Sequence, residues 1–144
     1  FGGDVYQRVE LSEDGLDCRI VPSSDPVGEG TYNAAEFTPV LIRDGEKIED
    51  SFWTGEQPRA CFGTGDQGIY MLIIEGRYPS EGIRGTSVNT CSDILLSYGC
   101  RNALNMDGGA SAILWYDGEY VTQCSSSFLR YTGGRPLPNA WVYG

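Results

Sequence analysis

Histidine is absent from the 144-residue chain, and this absence excludes more chemistry than any single residue suggests. Without imidazole there is no Ser-His-Asp triad, no Cys-His dyad, no His-ligated zinc and no imidazole general base. Acid and base work falls to carboxylates, with Tyr, Lys or Cys as weaker candidates. Positive charge is scarce too. Ten Lys and Arg stand against twenty Asp and Glu, for a net charge of −10, so a polyanionic backbone is repelled and nucleic acid is not an expected partner. The five cysteines, Cys18, Cys61, Cys91, Cys100 and Cys124, show no C-x-x-C spacing. Neither a metal knuckle nor a thioredoxin-type motif is supported, and no metal or cofactor is expected. An odd count leaves at least one thiol free or paired to another chain, small thiols buried in the core being the plainer reading. No apolar run approaches the roughly 18 residues that a membrane span requires, and no signal-peptide pattern is present. Internal repeats, charge blocks and low-complexity tracts are also missing.

What is present reads as one domain with a single core. The loosest stretch, Pro22 to Gly30, is expected to be a surface loop or linker. In "PVLIRDGEKIE" the pair Asp44-Gly45 separates two short alternating runs, and Asp117-Gly118 does the same in "AILWYDGEYVT". Each is the two-residue signal of a type I′ hairpin. "IYMLIIE", residues 69–75, is a nearly continuous apolar run of strand length, as expected of a strand buried on both faces. In "SVNTCSDILLSYG", Val88, Cys91, Ile94, Leu95 and Tyr98 recur at helical spacing, with Ser87 placed to cap the start and Gly99 to end it. "NALNM" follows as a short strand that delivers Asp107. The fold class is therefore α+β: a mixed, strand-rich sheet with hairpins and one principal helix near residues 88–98. That helix keeps Cys91 and Cys100 from forming a disulfide. The intervening chain advances about 13 Å at about 1.5 Å per residue, while a disulfide tolerates about 7 Å between Cα atoms.

The order strand, helix, strand bears on function. If the two strands lie parallel in one sheet, the crossover is right-handed and both carboxyl ends emerge on one edge. Glu75 and Asp107 then face the same cleft, where open sheets of this kind bind ligands. Against this, "EGR" and "DGG" are also ordinary strand-ending turns, because Asp and Gly favour turns for local reasons. Arginine placement adds weight to the cleft. Arg59 lies in "QPRACFG", Arg77 two residues past Glu75, and Arg135 in "TGGRPLPNAW", each beside Gly or Pro. Guanidinium groups suit bidentate contact with phosphate or carboxylate, so arginines paired with acids point to an anionic or phosphorylated substrate.

In sequence order, "NAAEFTPVLIRDGE", "QPRACFG", "MLIIEGR", "GTS", "ALNMDGGASA" and "GGRPLPNAWV" resemble the phosphodiester glycosidase domain. That family includes the N-acetylglucosamine-1-phosphodiester α-N-acetylglucosaminidases and bacterial exopolysaccharide-related members. The resemblance is clear from about residue 31 to residue 144 and weak before that. Glu75 stands where Asp is usual, Ala60 where Thr is usual, and Ala110 where Gly or Ser is common. The upstream Asn-Gly-Gly type segment of relatives has no clear counterpart, "FGGD" at residues 1–4 being too short. The chain is accordingly expected to be a single phosphodiester-glycosidase-like domain lacking its N-terminal portion, either as a proteolytic piece of a longer precursor or because the protein has lost part of the site. An N-terminal fragment of the same precursor is then a partner, held non-covalently or through one cysteine.

The resemblance implies hydrolysis of a sugar-1-phosphodiester in a cell-surface or extracellular glycan, by a secreted protein. Such a bond breaks through an oxocarbenium-like transition state, with phosphate as a good leaving group. Asp107 is the expected base or nucleophile, because Gly108 and Gly109 let backbone and substrate approach closely and can present N–H groups. Glu75 is the second acid. Arg59, Arg77 and Arg135 are expected at the phosphate. Ser87, Asn105, Ser111 and Asn139 match family positions and are candidates for binding hydroxyls or orienting the carboxylates. Two rival readings stand beside the enzyme: a non-catalytic carbohydrate- or phosphate-binding module on the same fold, and a surface structural protein.

Overall fold

The structure is a computed structural model that describes residues 6–15 and 18–143; the "FGGD" segment lies outside the described residues. Three strands open the chain: β1 (Gln7–Leu11), β2 (Cys18–Pro22) and β3 (Asn33–Phe37), antiparallel in the order β2-β1-β3. A second sheet has five strands in the order β5-β4-β8-β6-β7. Its members are β4 (Val40–Arg43), β5 (Glu46–Lys47), β6 (Arg59–Gly65), β7 (Gly68–Ile74) and β8 (Cys100–Asn105). The helix α1 (Val88–Ser97) connects β7 to β8. A two-stranded hairpin, β9 (Trp115–Tyr116) and β10 (Glu119–Tyr120), follows.

Alternation along the central strands builds a core on each face of the five-stranded sheet. On one face Leu41, Cys61 and Ala103 meet Val88, Cys91 and Leu95 of α1. On the other, Val40, Phe62 and Leu104 meet Val9 and Leu11 of the three-stranded sheet. The molecule is therefore α+β and strand-rich, with one α-helix among the described residues.

The local signals act as their chemistry dictates. Asp44 and Gly45 have φ of 53° and 84°, and Asp117 and Gly118 have 49° and 86°. Two successive positive values define the type I′ geometry that joins β4 to β5 and β9 to β10. The Ser87 hydroxyl oxygen accepts from Thr90 N–H at 3.1 Å, capping α1, and Gly99 just past its end has φ of 87°. Tyr98, expected on the helix's apolar stripe, is instead exposed, because it is the C-cap residue beyond the last helical turn. Ser92 takes a buried place on that stripe, its hydroxyl satisfied by Val88 C=O at 3.2 Å.

β7 corrects the expectation of a strand buried on both faces. It pairs only with β6, at the sheet edge, and is half-buried along most of its length. Its apolar run is real: Tyr70, Leu72 and Ile74 pack on the helix side and Ile69 on the other. Covered faces alone do not make a central strand. Because β7 and β8 are each antiparallel to β6, they run parallel to each other with β6 between them, and their carboxyl ends emerge on one edge.

The stretch 23–30 is a turn-containing loop anchored to β1. Arg8 donates to the carbonyls of Ser23 and Asp25 at 3.0 and 2.8 Å. Glu10, only 2 % exposed, accepts from Gly28 N–H and the Thr31 hydroxyl and pairs with Arg8 and Arg19. All five cysteines are free thiols. No helix among the described residues is long and apolar enough to cross a membrane.

Candidate active site

The site begins where β8 ends. Met106 N–H donates to Ala60 C=O at 2.8 Å and Gly109 N–H to Pro58 C=O at 3.0 Å, so the chain after β8 stays zipped to the start of β6. Gly108 is pressed against that neighbour: a Cβ there would stand 2.5 Å from the Pro58 carbonyl oxygen. Glycine is required by the contact. Between these anchors Asp107 projects outward, exposed. Its Oδ2 accepts from Arg135 Nη2 at 3.0 Å, and the same nitrogen donates to the Ser111 hydroxyl at 2.5 Å.

Arg77 approaches from the end of β7. Its φ of 69° turns the chain sharply after Gly76. Its Nε and Nη2 both donate to Gln57 Oε1, at 3.1 and 3.0 Å. The guanidinium lies over Gly109, where a Cβ would come within 3.1 Å of Nη2. The turn glycine thus also makes room for the arginine.

Arg77, Gln57 and Asp107 line a cavity of about 400 Å³, within the range of small-molecule sites, while Arg135 and Ser111 lie outside its lining. Arg77, Asp107, Gly108 and Gly109 form one side, and Phe37, Phe52 and Trp53 contribute apolar walls. Asn105 also lines it. Its Nδ2 donates to Thr38 C=O at 2.8 Å, while its buried Oδ1 has no partner. An orphan buried acceptor is costly and therefore uncommon.

The remaining candidates go elsewhere or take a different part. Arg59 lines the cavity, yet it is 4 % exposed and its guanidinium is spent on carbonyls. Nε donates to Thr86 C=O at 2.9 Å, and Nη2 to Trp53 and Gly55 C=O at 3.2 and 2.8 Å. Burial pulls its pKa below the ordinary arginine value. Glu75 does not line the cavity; its Oε1 accepts from Gln123 N–H at 2.5 Å. The expectation that Glu75 and Asp107 share one cleft is therefore corrected: a common sheet edge does not fix where a side chain points. Glu75 works with Tyr78, whose hydroxyl donates to Cys124 C=O at 2.7 Å. Arg130 adds a third tie, lying over the Tyr78 ring and gripping Glu81 with both terminal guanidinium nitrogens. Together they fasten the segment after β10 to the chain that follows β7. Ser87 is engaged as the cap of α1, and Asn139 is exposed and outside the lining.

Gln57, Phe37, Phe52, Trp53 and Met106 line the cavity without having been singled out from the sequence. Among the described residues no group of three or more His, Cys, Asp or Glu side chains is placed to hold a metal ion.

The family model of the phosphodiester glycosidases matches residues 3–143, including residues 3–30, where the sequence motifs alone are faint. No curated protein sequence matches the chain. Among solved structures, the catalytic domain of zebrafish N-acetylglucosamine-1-phosphodiester α-N-acetylglucosaminidase, auto-inhibited by its pro-peptide, is similar in fold. It aligns with a TM-score of 0.58 at 16 % identity, over 83 % of this chain and 45 % of that one. A hypothetical protein from Synechocystis aligns with a TM-score of 0.51 at 19 % identity, over 85 % of this chain and 32 % of that one. The chain thus spans less than half the length of either structure.

Proposed function

Because the chain belongs to the phosphodiester glycosidase family, we propose that it hydrolyses a sugar-1-phosphodiester, of the N-acetylglucosamine-1-phosphodiester type, at the cleft around Asp107. The observation that carries this reading is an exposed carboxylate paired with Arg135 and sharing its cavity with the Arg77 guanidinium, on a backbone pinned from both sides. Water adds to the anomeric carbon, the bond from that carbon to the phosphate oxygen breaks, and the products are free sugar and a phosphate monoester. Asp107 takes the proton of the attacking water, or attacks the sugar itself. The arginines hold the phosphate and stabilise the charge that collects on it as it departs, so strong acid assistance is unnecessary. Ser111, through Arg135, sets the direction of that guanidinium. Glu75 enters as a positioning residue, holding the Gln123 segment.

The setting that fits this chemistry is a cell-surface or extracellular glycan. An N-terminal fragment of the same precursor is the proposed partner, the zebrafish protein being auto-inhibited by a pro-peptide. A binding module on the same fold is favoured by one observation: among the described residues, Asp107 is the single carboxylate lining the cavity. Incubation with a panel of sugar-1-phosphodiesters separates the two. Release of free sugar and phosphate monoester in equal amounts is expected; saturable binding without release identifies the module.

A further inference from the structure

The cleft has an aromatic wall that the proposed chemistry does not use. Phe52 is 83 % exposed and Trp53 41 %, a degree of exposure that costs hydration free energy for such large apolar rings. Loops that display such residues are ordinarily mobile. This one is pinned. Asp50 Oδ1 accepts from Phe52 and Trp53 N–H at 2.8 and 2.5 Å. Asp50 is itself held at both backbone groups by the Asn89 side chain of α1, each bond 2.9 Å. The Trp53 carbonyl accepts from Val88 N–H and from Arg59, whose guanidinium also lies 5.9 Å from the Trp53 ring centroid. A buried arginine, a helix N-terminus and an Asx turn therefore hold two aromatic rings beside the cleft.

Sugars answer that arrangement chemically. A pyranose has one face of C–H groups and an edge of hydroxyls, so it packs flat on an aromatic ring while its polar edge reaches hydrogen-bonding groups. The cavity offers both. Phe37, Phe52 and Trp53 form the apolar wall, and Arg77, Asn105 and Asp107 the polar side. We infer that Phe52 and Trp53 are the sugar-stacking platform of the cleft, with the phosphate toward Arg77, and that Arg59 is the strut that positions the platform. This inference rests on the glycosidase reading for the identity of the ligand. Trp53 selects a ring with an unbroken C–H face, and Arg59 acts on the substrate only through the loop it holds.

The test uses the intact chain, N-acetylglucosamine as the binding probe and an N-acetylglucosamine-1-phosphodiester as the substrate. The protein has three tryptophans, Trp53, Trp115 and Trp141. Sugar binding is expected to change the intrinsic fluorescence of wild type and of Trp115→Phe, but not of Trp53→Phe. Trp53→Ala and Phe52→Ala are each expected to raise KM about tenfold with kcat within about twofold, and Trp53→Phe to restore KM. Arg59→Lys is expected to raise KM in the same direction. Phe52 is too exposed for its truncation to threaten folding, so Phe52→Ala decides the matter if Trp53→Ala does not fold. A substrate that is turned over with unchanged KM in Phe52→Ala or in folded Trp53→Ala overturns the platform while leaving the glycosidase intact. A fluorescence response lost in Trp53→Phe, in a protein that turns over no phosphodiester, supports the platform and overturns the glycosidase.

Discussion

The two sides of the cleft use the same residue type in opposite ways. On the β6 side, Arg59 is buried and its guanidinium is engaged by three backbone carbonyls. On the Asp107 side, Arg77 and Arg135 are exposed and bound to side chains, Gln57 in one case and Asp107 with Ser111 in the other. A buried guanidinium closed by backbone carbonyls cannot exchange them for a ligand without being left unpaired. Side-chain acceptors at the solvent boundary can be exchanged. The difference teaches that an arginine beside a cleft is assigned by what already occupies its donors, and not by its neighbours in sequence.

The sharpest way to break this comparison is at Asp107, the acid that lines the cavity. Asp107→Asn keeps the shape and the Arg135 hydrogen bond but removes the base, so turnover of a sugar-1-phosphodiester is expected to fall about 10²- to 10⁴-fold with the thermal midpoint nearly unchanged. Steady-state kinetics beside a melting curve checks it. On the braced side the expected loss is of stability. Arg59→Met strands the carbonyls of Thr86, Trp53 and Gly55, and chemical denaturation is expected to show about 3 kcal/mol of destabilisation. The open side behaves in reverse: Arg77→Lys keeps the charge but loses the fork, lowering kcat/KM about tenfold while stability moves by less than about 0.5 kcal/mol. Loss of stability in Arg77→Lys and loss of turnover alone in Arg59→Met would invert the assignment.

The smallest expected effect lies away from the cleft. Burial raises the pKa of Glu10, but Arg8, Gly28 N–H, Thr31 and Arg19 together outweigh it and hold the carboxyl below its ordinary value of 4.5. A carboxyl lowered on folding adds stability that is present above that ordinary value and is lost as pH falls through the lower folded one. Unfolding free energy measured between neutral and acid pH is therefore expected to decline below about 4.5 in wild type. In Glu10→Gln that part of the slope is expected to vanish.

Local chemistry was readable from sequence wherever the deciding partners lie within a few residues. Ser87 with Thr90, Gly99 after the last helical turn, and the Asp-Gly pairs at 44–45 and 117–118 all specify geometry through their own backbone. The delivery of Asp107 by a strand rests on the same kind of signal. What sequence did not show depends on distant partners. Glu75 meets Gln123, and Glu10 meets Gly28 and Thr31. β7 has the composition of a central strand and the position of an edge, because nothing in its residues records how many strands lie beside it. The Phe52–Trp53 wall was invisible for the same reason: its support comes from Asn89 and Arg59, in α1 and β6.

The central claim, that this cleft breaks the bond from the anomeric carbon to the phosphate oxygen, is tested most directly by hydrolysis in ¹⁸O-labelled water with mass analysis of both products. The account predicts label in the anomeric hydroxyl of the released sugar, none in the phosphate monoester, and loss of both products in Asp107→Asn. Label in the phosphate would show attack at phosphorus and contradict it.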